Sequence, residues 1–398
     1  MTNSSGVGSI NYESERKYWF PTIAFDSELV GLAFELERLR GSFGYGTTPP
    51  SILGELHGLF QLLMSVVSAR IEGNRTTIYD ALEHDSAPPS PSDATAEGWK
   101  EIVNLRNAMT FIDQADLNQP FTHVFVRELH RLSVQGLVRE GDRSPGQYRS
   151  SDVEISRARH LPPSHVLVHS EMTDLLDFAN QDVPIAQQMV HVAMAHHRFL
   201  WVHPFHNGNG RVSRLLSYAM LRRHGFVSPF GYRTVNPTAV FGNDRDGYYA
   251  SLAAADDLSN EGTVAWCTFF VRGIYDDMER LTRLQDRSFV EDELTGPALR
   301  RLVASGAASA VEAQAMGIAL RREVVKAGDL ASVLVGTPSQ RSVAIRSMVD
   351  RGLLVQDAQG PRFYRVPLSR GPLANFVVRQ LDQLGFLPRI LRDDAAAG

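Results

Sequence analysis

Between residues 203 and 214 the chain reads His-Pro-Phe-His-Asn-Gly-Asn-Gly-Arg-Val-Ser-Arg, and few backbones accommodate that run. The preceding apolar pattern, residues 184–201, predicts a helix, and Pro204 ends it at His203. Gly208 and Gly210 permit a tight turn whose N–H groups point inward. Apolar periodicity resumes over 209–224, so a second helix opens on that turn with its unpaired N–H groups and positive dipole end facing it. Backbone alone thus forms an anion nest. Arg211 and Arg214, three apart, share a helix face and can fork onto phosphate oxygens. His203 at the rim has the intrinsic pKa of a general base. Base, nest and two arginines describe phosphoryl or nucleotidyl transfer.

The rest of the chain gives this run ample support. Its 398 residues are 43% hydrophobic and 21% charged, which excludes a disordered or collagen-like chain and suggests two to three domains. The net charge of −5 hides a split: residues 301–398 hold 13 Lys+Arg against 8 Asp+Glu, so the first 300 carry −10. One cysteine, Cys267, excludes an internal disulfide and a Cys-rich zinc site and fits a reducing compartment. It lies among Trp266, Phe269 and Phe270, which reads as a buried core thiol. The polar start lacks the apolar run of a secretory signal, and the stretch Leu59 to Ile71, broken by Ser and Arg, reads as too short to span a bilayer. A cytoplasmic protein without membrane contact is expected.

The predicted organisation is mainly α. After a flexible tail (1–20), helices are expected from Asp26, from Ser51 as N-cap to about Ile71, over 94–112 and over 121–137. Residues 142–170 predict a short β-hairpin, with Val153 and Ile155 alternating before Leu161-Pro162-Pro163. Helices follow at 164–180, 184–201, 209–224, 244–257 and 262–285. Then the pattern changes: a short helix Asp329–Val335, a helix Gln340–Arg351 with Val343, Ile345, Met348 and Val349 inward, and a two-stranded wing around Gln359-Gly360. That is a winged helix-turn-helix pattern. Arg341, Arg346, Arg351, Arg362 and Arg365 leave DNA contact and a structural or dimerising role both open. Expected boundaries are 21–115 for an N-terminal helical region, 116–287 for a catalytic core and 288–398 for the winged helix.

The run at 203–214 resembles the signature of Fic (Fic/Doc) domain proteins, HPFx[D/E]GNGRxxR, matching every fixed position but one. His196, Phe199, the Gly146…Arg149…Val153…Ile155 segment, Leu161-Pro162-Pro163 and Tyr248-Tyr249 also agree with that family. The resemblance implies transfer of AMP from ATP to a hydroxyl of a protein, Ser, Thr or Tyr, the chain itself included. His203 would take the hydroxyl proton. Gly208, Asn209 and Gly210 would cradle the phosphates, and Arg211 and Arg214 would hold the β and γ groups. A flap at Val153 and Ile155 would clamp the target as an added strand. Removal of AMP, another nucleotide donor, and a nucleotide-sensing DNA-binding regulator are the alternatives.

The departure is Asn207, where the family usually places Asp or Glu to coordinate Mg²⁺. Asn offers one neutral oxygen, so weaker metal binding is expected. A slow enzyme, a different donor and an inactive domain stay open. Upstream, Ser68-Ala69-Arg70-Ile71-Glu72-Gly73 matches the [S/T]xxxE[G/N] inhibitory motif of regulated Fic proteins. This implies the class whose inhibitory helix lies N-terminal on the same chain, with Glu72 pairing with Arg214 and Ser68 hydrogen-bonding Glu72. A homodimer is consistent with the pattern.

Overall fold

Apolar stripes at helical spacing build the body of the protein, described here from a computed structural model over residues 17–42, 46–139, 141–156, 158–226 and 237–392. The first helices are α1 (Glu28–Ser42), α2 (Pro50–Ile71), α3 (Ile78–Ser86), α4 (Ala96–Gln114) and α5 (His123–Val134). After an extended stretch come α6 (Val168–Ala179), α7 (Gln188–Val202) and α8 (Asn209–Arg223). Then follow α9 (Pro237–Asn243), α10 (Arg245–Ala255) and α11 (Asn260–Thr282).

The middle of the body is the α7–α8 pair. Nearly every residue of both helices is buried, because α2, α4, α5, α6, α9 and α11 surround them. Their polar residues, Arg198, Arg211 and Arg214 among them, are buried with the apolar ones and so need partners inside that shell. Short polar side chains set the starts. Thr122 accepts from the Phe125 N–H at 3.2 Å, and Thr77 with Asp80 forms a capping box on α3. Ser51 does not cap α2 as expected. Pro50 stands at the first helical position after Pro49, and Ser51 Oγ donates to Glu323 at 2.6 Å. Helix α2 is long and apolar enough to cross a membrane by composition, yet two-thirds of that window is buried within the helical body.

The expected tail is only partly described. Residues 1–16 lie outside the described residues. Lys17 to Phe20 are packed: Lys17 pairs with Glu171 and sits 4.6 Å above the Trp201 ring, while Phe20 meets Phe178 and His191.

The predicted hairpin at 142–170 is a correction. Over residues 152–155 Val153 and Ile155 are half-buried and Asp152 and Glu154 exposed, but no strand forms there among the described residues. The alternation of exposure holds; a partner strand is what the segment lacks among the described residues.

Beyond α11 a π-helical turn (Val290–Thr295) leads into α12 (Gly296–Ala304), then α13 (Ala310–Arg322) and α14 (Pro338–Asp350). Strands β1 (Val355–Asp357) and β2 (Gly360–Arg365) pair antiparallel, and Val325 bridges to Tyr364. Helices α15 (Pro372–Gln383) and α16 (Arg389–Arg392) close the chain. Two expectations are corrected here. Asp329–Val335 is a series of tight turns rather than a helix, with Leu334 N–H reaching the Leu330 carbonyl. Val343 on α14 faces solvent at 67% exposure, while Ile345 and Met348 carry the inner face. The C-terminal part grips the start of α2: Glu55 pairs with Arg365 and accepts from the Leu368 N–H at 3.0 Å and the Ser369 hydroxyl at 3.2 Å.

Candidate active site

The loop between α7 and α8 begins with backbone strain. His203 caps α7 in the left-handed region, φ 50°, with its N–H on the Phe199 carbonyl. Pro204 follows, and the chain reverses over four residues to Gly208 at φ 77°. A side chain at Gly208 would be strained at that φ and would also press on Val134. The first intrahelical bond of α8 runs from Val212 N–H to the Gly208 carbonyl, so the N–H groups of 209 and 210 precede the ladder.

The Asn209 side chain holds the loop together. Its Nδ2 donates to the Phe205 carbonyl at 2.8 Å and its Oδ1 accepts from the Phe205 N–H at 2.9 Å. The buried amide therefore staples the loop shut, leaving only backbone to face a phosphate. Phe205 is wholly buried and stacks on His130, ring centroids 3.8 Å apart. His130 accepts from Gly146 N–H through Nδ1 (2.9 Å), which leaves Nε2 to donate to the Asn207 carbonyl (3.2 Å).

Both arginines are buried and both are already paired. Arg214 Nη2 donates to Glu72 Oε1 at 2.6 Å. Ser68 also serves Arg214: its hydroxyl accepts from Nε at 3.0 Å and its carbonyl from Nη2 at 3.2 Å. The expected Ser68–Glu72 bond is thus replaced. Glu72 is the C-cap of α2 and Gly73, at φ 101°, turns the chain away, which explains the glycine after the glutamate. The carboxylate lies on the first turn of α8; a methyl group on Gly210 would collide with Glu72 Oε1. Glu72 therefore lies against the first turn of α8, near its N-terminus. Burial pushes its pKa up, but Arg214, Arg211 and Arg245 outweigh this and hold it below the ordinary carboxylate value.

Arg211 Nη1 donates to Glu101 Oε1 at 3.0 Å, a pair more deeply buried than Glu72–Arg214. Asn74 Nδ2 contacts the other oxygen of Glu101 at 2.9 Å and the Gly98 carbonyl at 3.0 Å. Sequence reasoning missed Glu101 and Asn74. A signal existed: Glu101 falls in phase with the buried stripe Leu105, Ala108 and Ile112, and a charge there calls for a partner.

Burial drives the His203 imidazole down to about 4, assisted by the charges of Arg149 and His160; the Leu200 carbonyl and Glu72 push the other way. At neutral pH the ring is uncharged and able to accept a proton. His196, expected as structural, is buried between Ser217 (2.9 Å) and Tyr248 (3.0 Å). Tyr248 is buried in that cluster, whereas Tyr249 is exposed beside Arg245.

Asn207 does not fit a Mg²⁺ ligand. Its neutral Oδ1 accepts from the Gly208 N–H at 2.7 Å, and its Nδ2 donates to the Gly141 carbonyl at 3.2 Å. Nor does any group of three acidic, histidine or cysteine side chains suited to a metal occur among the described residues.

Residues 120–221, from just before α5 to α8, match the Fic/DOC family. The chain is 28% identical over 193 residues to "Protein adenylyltransferase Fic" of Nematostella vectensis, covering 48% of this chain and 42% of that one. It is 25% identical over 157 residues to "Protein adenylyltransferase fic-1" of Caenorhabditis elegans, 39% of this chain and 29% of the other. The matched stretch spans less than half the length of these curated relatives. Among solved structures, a Fic family protein from Desulfovibrio desulfuricans G20 superposes with a TM-score of 0.54 at 19% identity, over 87% of this chain and 98% of that one. Fic-1 of C. elegans (residues 134–508) gives 0.52 at 19% identity, over 64% and 72%. Residues 120–221 are thus similar to the Fic/DOC family, and the chain shares the helical fold of these solved Fic structures.

Proposed function

We propose that this protein transfers AMP from ATP to a hydroxyl side chain of a protein, and that Glu72 restrains the reaction. The observation that carries the reading is the Glu72 carboxylate on the first turn of α8, paired with Arg214 beside a neutral His203. A carboxylate held at a helix N-terminus marks a place where a phosphate is stabilised by the same N–H groups and guanidinium.

In this reading the triphosphate displaces Glu72 and lies along the nest of Gly208, Asn209 and Gly210 backbone, with Arg214 released to its terminal phosphate. His203 takes the proton of the target hydroxyl. The oxygen attacks the α-phosphorus, the bond to pyrophosphate breaks, and AMP remains as an ester. Val153 and Ile155, half-buried on a segment without a strand partner among the described residues, are where a target backbone would join as an added strand. Arg211, fixed by Glu101 beneath the loop, adds positive potential rather than a mobile fork. Any Mg²⁺ that arrives with ATP would draw its oxygen ligands from the phosphates. The curated relatives' names, both protein adenylyltransferases, support the reading.

The test is incubation of the full chain with α-labelled ATP. Label on Glu72→Gly protein that is lost in Glu72→Gly/His203→Ala supports the transferase. No label with any of the four ribonucleotide triphosphates would sink it.

A further inference from the structure

Arg149 is a buried cation that binds backbone. Its side chain is fully covered, yet its nearest carboxylate oxygen, Asp152 Oδ1, is 3.7 Å away. Its guanidinium instead serves three carbonyls: His203 at 2.9 Å from Nε, Ser151 at 3.1 Å from Nη1, and Pro163 from Nη2. The Arg149 N–H adds a fourth bond, to the Pro204 carbonyl at 2.9 Å.

These acceptors have a topological meaning. Ser151 and Pro163 are the two ends of the loop that carries Val153 and Ile155. Asp152 closes the same neck from the other side, accepting from the His165 N–H at 2.7 Å and the Ser164 hydroxyl at 3.2 Å. One planar group therefore joins both ends of the flap to the carbonyl of the residue whose imidazole is the base. A guanidinium can do this because its five donors lie in one fixed plane; an ammonium cannot.

We propose that Arg149 is a positioning residue that sets the register of the target-binding flap against His203; this rests on the transferase reading above. A strand added to the flap takes its alignment from the flap backbone, so a fixed neck decides which of its side chains comes level with the imidazole. A shift of one residue would present the opposite face. The Arg149 charge acts on the base as well. His203 is faced by Arg149 and His160, which favour its neutral form, and by Glu72, which opposes them.

The experiment uses the full chain in the Glu72→Gly background, adding Arg149→Lys or Arg149→Met. Readouts are binding of a fluorescent ATP analogue, the rate of self-labelling against pH, and hydrogen exchange over residues 151–163. Both variants should bind nucleotide as the parent does, label at least tenfold more slowly, and exchange faster across the flap. Arg149→Lys should keep the parental pH profile, whereas Arg149→Met should move its acid limb to higher pH. Parental labelling in either variant, flap exchange unchanged, or nucleotide binding lost in step with labelling would overturn the proposal. A Glu72→Gly parent that takes no label tells against the transferase reading, and flap exchange then still decides whether Arg149 fixes the neck.

Discussion

Glu72 Oε1 stands 2.6 Å from Arg214 Nη2, on the turn of α8 that Gly210 leaves bare. Arg214 is almost wholly buried and Glu72 about three-quarters buried, so neither is well served by water when the other leaves. Replacing Glu72 with Gly should lower stability by about 3 kcal/mol in urea unfolding, the cost of a buried charge left part-paired. Labelling from ATP should rise at least tenfold in the same variant. A variant that is destabilised without gaining label would mean that the pair is architectural only.

The buried imidazoles give a pH signature. His130 and His197 are both held down to about 4 by burial, against 6.5 in the unfolded chain. A depressed pKa contributes stability that is fully present above 6.5 and is lost as pH falls toward 4. Each group should cost about 1.4 kcal/mol per pH unit across that window. Chemical denaturation at pH 7, 6 and 5 should show the midpoint falling, and the fall should be shallower in His197→Gln.

Asn209 predicts a loop defect. Alanine there removes both bonds to Phe205 and leaves its buried N–H and carbonyl unpaired, which should cost about 2–3 kcal/mol. Nucleotide binding should weaken along with stability. If thermal unfolding is unchanged, the staple has been misjudged.

Asn207→Asp tests the metal question. An aspartate would still accept from the Gly208 N–H but would set an oxygen against the Gly141 carbonyl, at a cost of about 1 kcal/mol. In the Glu72→Gly background its labelling should exceed that of Asn207, and EDTA should abolish the excess. Equal labelling would show that this position has no say in metal binding.

Much of this was legible in residues 203–214. Proline and two glycines fixed a helix–loop–helix turn, and the serine–glutamate–glycine pattern at 68–73 located the carboxylate that reaches Arg214. What could not be read were partners distant in sequence. Nothing local says that Arg211 belongs to Glu101, 110 residues upstream. Nor does spacing say that the Asn209 side chain bonds to the backbone four residues before it. The flap alternated like a strand but found no mate. Helix α3 went unread because it spans only nine residues, too few for a stripe to repeat.

The two carboxylates that neutralise Arg211 and Arg214 both lie upstream of residue 120, while both arginines lie inside the matched Fic/DOC segment. The ion pairs therefore cross the segment's border. Moving residues 120–221 alone into another chain would carry along two buried guanidinium groups without their counter-ions. Such a transplant would stand only if its new neighbours supplied acids at the same places. The segment is thus poorly suited to travel as an independent cassette, and its upstream helices are part of what has to be inherited with it.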